Sequence, residues 1–337
     1  MVRILGDQLW AIKGNPLPCP PQSLLHNMSL SYYYSKFVTT PVNNMMMNDT
    51  NDNNGDEILF RIEALRSQED TILPCYNYLQ HIDNNTNIHA VDEKCRTAIV
   101  LWCQQTQRTL KLSKETVWIA TSYLDRYLSS GRGKSHQAIM NKAKFQLVAI
   151  TSLYIAIKLY EDVELDVTTL VRLCKGYYTN AEILSMEEDV LFALDFRVTT
   201  ASPTEFVRHF IKLLPPELKN TDSLLNECEK RIEYTSQDIY FTFCKPSVVA
   251  ASCLASILTG NENDMLSPTQ RQTFYFRLAN ITDLIEVMLA QNRLLTGHTK
   301  PVSVSKLTQF ADMIDDDHCV NETIVANGSP KGVAKLA

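Results

Sequence analysis

The segment Gln146–Asp162, QLVAITSLYIAIKLYED, constrains the fold more than any other stretch of the chain. From Leu147 to Ile157 eleven residues carry no formal charge, and only Thr151 and Ser152 interrupt the apolar run. A helix of that composition sets no face aside for water and must be surrounded by other helices. At this length it reads as too short to span a bilayer. KPSVVAASCLASIL, Lys245 to Leu258, repeats the pattern about a hundred residues on, and two such core helices indicate two copies of one helical unit. No stretch shows strict two-residue alternation, so the expected architecture is all-α in two bundles.

Helix punctuation supports this division. Cys95, Ala98, Ile99, Trp102 and Cys103 follow the i, i+3, i+4, i+7, i+8 pattern of a buried helical stripe. Ser113 can cap the next helix, a Ser/Gly/Arg loop spans 129–135, and the central helix runs from Lys144. Asp166 opens a short helix, and Thr179 with Glu182 forms a T-x-x-E capping box for a helix through Leu194. Ser202-Pro203-Thr204-Glu205 is the sharpest start signal: a capping serine, proline at the first helical position and glutamate at the third. The second unit's helices are expected over 204–214, 221–240, 247–258, 268–279 and 281–295.

Upstream, Ile58, Leu59, Ile62 and Leu65 outline a short amphipathic helix in need of a docking surface. Residues 1–55, with their prolines and Asn/Asp tract, and 298–337, with Asp315-Asp316-Asp317, are too polar to bury a core and are expected to be disordered. The domains are therefore expected at 56–200, including the preceding helix, and at 201–297.

Composition excludes several functions. A net charge of −6 argues against a nucleic-acid backbone as principal partner, because such binders present a basic face. The nine cysteines are scattered without a CxxC pair and read as reduced, packed thiols, with no metal site. The seven histidines show no HxxxH or HExxH spacing, and neither G-x-S-x-G nor a Gly-rich phosphate loop occurs, so no enzyme and no cofactor is expected. No signal peptide is read between Met1 and Leu25, and residence in the nucleus and cytoplasm is the expectation.

Five segments together resemble the cyclin family: CRTAIVLW (95–102), TSYLDRYLSS (121–130), AIKLYED (156–162), SMEEDVLFALDFRV (185–198) and KPSVVAASCLA (245–255). The interval from Arg96 to Asp125 equals that from Lys158 to Glu187, as in the family pattern. EDTILPCYNYLQ (69–80) is similar to the N-terminal element of D-type, G1 cyclins. The resemblance implies two tandem five-helix cyclin-box bundles behind a short N-terminal helix. It also implies a regulatory subunit that binds and activates a cyclin-dependent kinase at G1/S and carries no catalytic residue of its own.

Read alone, Lys158 suits a helix C-terminus and Glu187 a solvated first turn. The family match instead gathers them, ringed by Leu159, Leu191, Phe196 and Val198, into a surface for the kinase αC helix. Arg96 and Asp125 become a structural ion pair. Cys95, Ala98, Ile99, Trp102, Gln105 and Gln146 fall at the positions of a groove for Arg-x-Leu substrate or inhibitor peptides, with Trp102 equally readable as core. Cys95 and Gln105 depart from the family's methionine and acid there, which weakens or redirects the groove. Leu101 replaces an aspartate without a physical account. A helical adaptor, or a transcription-related protein with the same doubled fold, is the competing reading; its usual basic face and zinc ribbon are absent from this sequence. Ser329-Pro330 is the one Ser-Pro pair not explained as a helix start, and no Arg-x-x-Leu degradation box is read in the N-terminal tail.

Overall fold

The computed structural model describes residues 53–72, 75–79, 90–163, 165–215, 218, 221–259 and 266–296. The two tails expected to be disordered lie outside these residues, except that 53–55 open the first helix. Every α-helical or 3-10 element among the described residues is accompanied only by turns and bends, with no strand.

The first core is built by α2 (Glu93–Leu110), α3 (Lys114–Ser130), the five-residue α4 (Ser135–Ile139), α5 (Lys142–Tyr160), α6 (Val167–Leu173) and α7 (Asn180–Ala193). Helix α5 is the apolar segment that dominates the sequence. It packs on α2, α3, α4 and α7, and every residue from Leu147 to Ile157 is buried. Asn141 caps it, so it begins earlier than Lys144 and reaches 19 residues, the length of a membrane span. Its apolar surface is instead taken up by neighbouring helices, which is what a charge-free eleven-residue run requires.

The second core repeats the plan with α8 (Pro203–Lys212), α9 (Thr221–Thr235), a 3-10 turn (Ile239–Phe243), α10 (Pro246–Thr259), α11 (Pro268–Ala279) and α12 (Leu284–Leu295). Helix α10 is central here, packed on α8, α9 and α12. The capping boxes Thr179/Glu182, Ser202/Glu205 and Ser267/Gln270 are all formed, the last two with proline in the first turn. Two boundaries differ from the sequence expectation. Asp283 caps α12, which therefore starts at Leu284 instead of Ile281. Helix α9 stops at Thr235, where the N–H groups of Gln237 and Asp238 turn to bond three residues back, and the first unit uses the carbonyls beyond it: Arg96 Nη1 donates to Ser236 O at 2.9 Å and Thr97 Oγ1 to Gln237 O at 3.2 Å.

The upstream helix, α1 (Asn53–Asp70), is longer than Ile58–Leu65 suggests and docks on α8. Ile58 and Ile62 enter the second core, whereas Leu59 is half exposed. The sequence reading attached this helix to the first unit; the packing attaches it to the second. Its last turn explains the choice. Glu69, 6% exposed, accepts from the Ser247 backbone N–H at 2.9 Å and hydroxyl at 2.7 Å, satisfying one of the free N–H groups at the start of α10. Asp70 adds a 2.7 Å ion pair to Lys245.

The seam between the two cores is polar. Gln104 Nε2 donates to Glu233 O at 2.8 Å and its Oε1 accepts from Gln237 Nε2 at 3.0 Å, while Trp118 packs against both cores. Directional bonds of this kind fix the mutual orientation of two bundles better than apolar contact alone.

Candidate functional site

Lys158 lies in the last turn of α5 and Glu187 in the second turn of α7, and packing of these two helices brings Nζ to 2.5 Å from Oε1. The lysine side chain remains 45% exposed, with its ammonium 4.9 Å from the centre of the Tyr154 ring. Leu159 is 51% exposed and Phe196 58%, with Leu191 and Val198 half-buried. A charged pair is thus set into an apolar surface facing water, an arrangement that costs hydration until another molecule covers it.

The loop after α7 positions that surface. Asp195 and Phe196 both adopt left-handed backbone, φ 52° and 55°, a conformation unfavourable for residues with a Cβ. The double turn brings Phe196 edge-on to Phe192, ring centres 5.3 Å apart. Side chains from below hold the chain there. Arg126 Nη2 donates to Arg197 O at 2.6 Å, and the hydroxyls of Tyr160, at 3.1 Å, and Tyr123 donate to Val198 O. Strain held by surrounding bonds is typical of a place where a side chain must be presented.

Sequence reasoning missed two residues of this surface. Phe192 is 60% exposed, and Leu184, 48% exposed, sits two turns before Leu191 on the same helix face. The seven-residue interval from Leu184 to Leu191 and the four-residue interval from Phe192 to Phe196 were the available signals.

Arg96 and Asp125 form the second pair, fully internal. Arg96 Nε and Nη2 reach the two carboxylate oxygens at 2.9 and 2.7 Å, and both residues are 2% exposed. Asp125 also accepts from Tyr78 OH at 2.8 Å and Thr242 Oγ1 at 3.2 Å. Burial, and then the adjacent carboxylate, push the Tyr78 phenol well above its ordinary range, so it stays a donor. The pair therefore joins α2, α3, the segment before α2 and the second unit at one point.

The six groove positions do not form one surface. Cys95 and Ile99 belong to the first core, 3% and 1% exposed, and so lie beneath the surface on which the other four positions sit. Ala98, Trp102 and Gln146 are half-buried and Gln105 is exposed, with Gln146 Oε1 3.0 Å from the Tyr178 hydroxyl. Among the described residues the cysteines are free thiols, and no group of His, Cys, Asp or Glu is arranged to hold a metal ion. Burial pushes Cys103 and Cys228 up to about 12, which keeps them protonated packing groups.

Two tandem helical bundles, the first ending in a presented charged and apolar surface, define a two-box docking protein. Residues 61–199 match the family described as Cyclin, N-terminal domain, and residues 201–320 match Cyclin, C-terminal domain. The chain belongs to the cyclin family. It is 25% identical over 228 residues to a G2/mitotic-specific cyclin-2 of Antirrhinum majus, covering 64% of this chain and 48% of that protein. It is also 25% identical over 199 residues to a G1/S-specific cyclin-D1 of Danio rerio, covering 59% of this chain and 64% of that one. The X-ray structure of a viral cyclin from herpesvirus saimiri superposes with a TM-score of 0.54 at 19% identity, covering 71% of this chain and 97% of the viral protein. The chain spans about half the length of the first of these relatives. Their names divide between mitosis and G1/S, so the family likeness extends to cyclins in general and not to the D type in particular.

Proposed function

We propose that this chain is a regulatory subunit that seats the αC helix of a cyclin-dependent kinase on the surface around Lys158 and Glu187. The observation that carries the reading is their 2.5 Å contact within an apolar patch that includes the exposed Leu159, Phe192 and Phe196. A lysine offers three donors, and a carboxylate accepts backbone N–H groups, so the two can hold the loop before a partner helix while the apolar ring covers the helix itself. A kinase works only when its active-site lysine pairs with the αC glutamate, so a protein that binds the inward position of αC better shifts the kinase toward activity. The chain contributes binding energy and no chemistry.

Action at G1/S, with residence in nucleus and cytoplasm, is the finer part of the proposal; it draws support from the D-type likeness of residues 69–80. Recruitment of substrate or inhibitor peptides would fall to Ala98, Trp102, Gln105 and Gln146. With neutral Gln105 in place of an acid, basic peptides should bind there weakly. The test is to purify the chain from cell extract and assay the associated histone kinase activity. Wild type is expected to bring down an active kinase that Lys158→Ala and Glu187→Ala do not. Activation by both variants at the wild-type level refutes the reading.

A further inference from the structure

The Ser/Gly/Arg loop over 129–135 belongs to neither charge pair, yet its path is closely specified. Helix α3 ends at Gly131, φ 64°, and Gly133 also adopts left-handed backbone, φ 56°. A Cβ on Gly133 would collide with the Asp189 carboxylate of α7, so the chain can pass this close only as glycine. That carboxylate accepts from the Lys134 N–H at 3.0 Å and from the Tyr127 hydroxyl, while the Arg132 N–H donates to Ser130 Oγ at 3.1 Å. The loop is thereby strapped against α7, and Arg132, between the two glycines, is carried to the C-terminal end of that helix.

There Nη1 of Arg132 lies 2.7 Å from Asp195 Oδ1 and 3.4 Å from Ala193 O. A cation is favoured at this end of a helix. It also completes the helix terminus. The carbonyls of Val190, Leu191, Phe192 and Leu194 receive backbone N–H groups of the residues that follow, and Ala193 O receives the guanidinium. Arg132 holds the Asp195 carboxyl below its ordinary range, first through their hydrogen bond. Asp195 and Phe196 are the two consecutive residues in left-handed backbone, a conformation that L residues leave unless they are held. The bonds to Arg197 O and Val198 O fasten the chain just beyond Phe196, and Arg132 fastens it just before.

We propose, on the kinase reading of this surface, that Arg132 is a positioning residue: by fixing Asp195 it orients the Phe196 ring toward the partner, and it acts on the kinase through that ring alone.

The test follows the ring directly, by fluorine NMR of the full chain carrying 4-fluorophenylalanine, with the Phe196 line identified as the one missing from Phe196→Gly. Arg132→Met is expected to shift and sharpen that line, as a ring released from a fixed place does. The melting transition should fall by no more than about 2 °C, because an exposed ion pair contributes little to folding. Kinase affinity should drop about three- to tenfold in Arg132→Met. In the Phe196→Gly background the same substitution should cost nothing further, since no ring remains to be positioned. A Phe196 line unmoved by Arg132→Met overturns the proposal, as does wild-type kinase affinity in that variant. A loss of affinity that persists in full without Phe196 also overturns it, by making Arg132 a direct contact. If the wild-type chain binds no kinase, the reading of the surface fails by itself, and the fluorine line alone decides whether Arg132 holds the loop.

Discussion

Two pairs of opposite charge, equally spaced along the sequence, lie in the same bundle and are built for different ends. Arg96 and Asp125 are each 2% exposed, and their oxygens and nitrogens are further bonded to Tyr78, Thr242 and Ser236. Lys158 is 45% exposed and has one carboxylate contact and one aromatic neighbour. The first pair is locked by partners from distant parts of its own chain. The second has donors and acceptors left over, on a surface whose apolar residues remain uncovered. Complete satisfaction marks a structural staple; incomplete satisfaction beside exposed apolar side chains marks a site awaiting another molecule.

The largest expected effect is on the staple. Asp125→Ala leaves a guanidinium buried without its anion and should cost about 3–5 kcal/mol of folding stability, read by urea unfolding. The double variant Arg96→Met/Asp125→Leu removes both charges and should lose clearly less than the two single changes added together. Additive losses would mean that the two side chains act independently, and the contrast between the pairs would fail.

Lys158→Ala and Glu187→Ala should show the reverse pattern. Lys158→Ala is expected to alter unfolding free energy by about 0.5 kcal/mol or less, since its side chain is 45% exposed, and Glu187→Ala, whose side chain is 12% exposed, by up to about 1 kcal/mol. Each should cost about 2–5 kcal/mol of kinase affinity, the range for truncating an interfacial charge. A variant that loses stability and keeps the kinase would make this pair a second staple.

The contrast was only partly legible in the sequence. Elements specified by near neighbours could be read directly: the Ser202-Pro203 start, the Thr179/Glu182 box and the two charge-free core helices need no information beyond a few residues. Pairing between side chains so far apart along the chain came from family resemblance, because spacing by itself says nothing about which helices meet. The remaining partners of the staple, Tyr78 and Thr242 on Asp125 and Ser236 on Arg96, are 47, 117 and 140 residues away, and nothing local announces them. The destination of α1 was hidden for a related reason: Ile58 and Ile62 define an apolar face, and only the docked Glu69 at the start of α10 shows which core receives it. The burial of Cys95 and Ile99 was not legible, because an apolar stripe on α2 reads alike whether it faces a core or a peptide.

Phe196 separates presentation from stability. Its left-handed backbone, φ 55°, costs an L residue roughly 1–2 kcal/mol that glycine does not incur. Phe196→Gly should therefore leave thermal stability unchanged or slightly raised, because the ring is 58% exposed and buries little within the chain. Kinase affinity should nevertheless fall, since an exposed aromatic in an apolar patch is the kind of group that anchors an interface. A marked loss of stability in Phe196→Gly would show that the Phe192–Phe196 contact supports the fold rather than the surface.

The smallest effect expected is on the exposed pair's response to salt, and it sets the two pairs apart without any substitution in the interface. Raising ionic strength from about 0.1 to 1 M shortens the Debye length from about 10 to 3 Å. Charges on an open surface are then screened, whereas a pair sealed from solvent is not. Association with the kinase should slow several-fold across that range, chiefly through the on-rate, because Lys158 contributes to encounter from an exposed position. The coupling energy between Arg96 and Asp125, measured by the double-mutant cycle in urea at both salt concentrations, should not move. If instead the cycle weakens with salt while kinase association is indifferent, water reaches the internal pair and the assignment of the two roles must be exchanged.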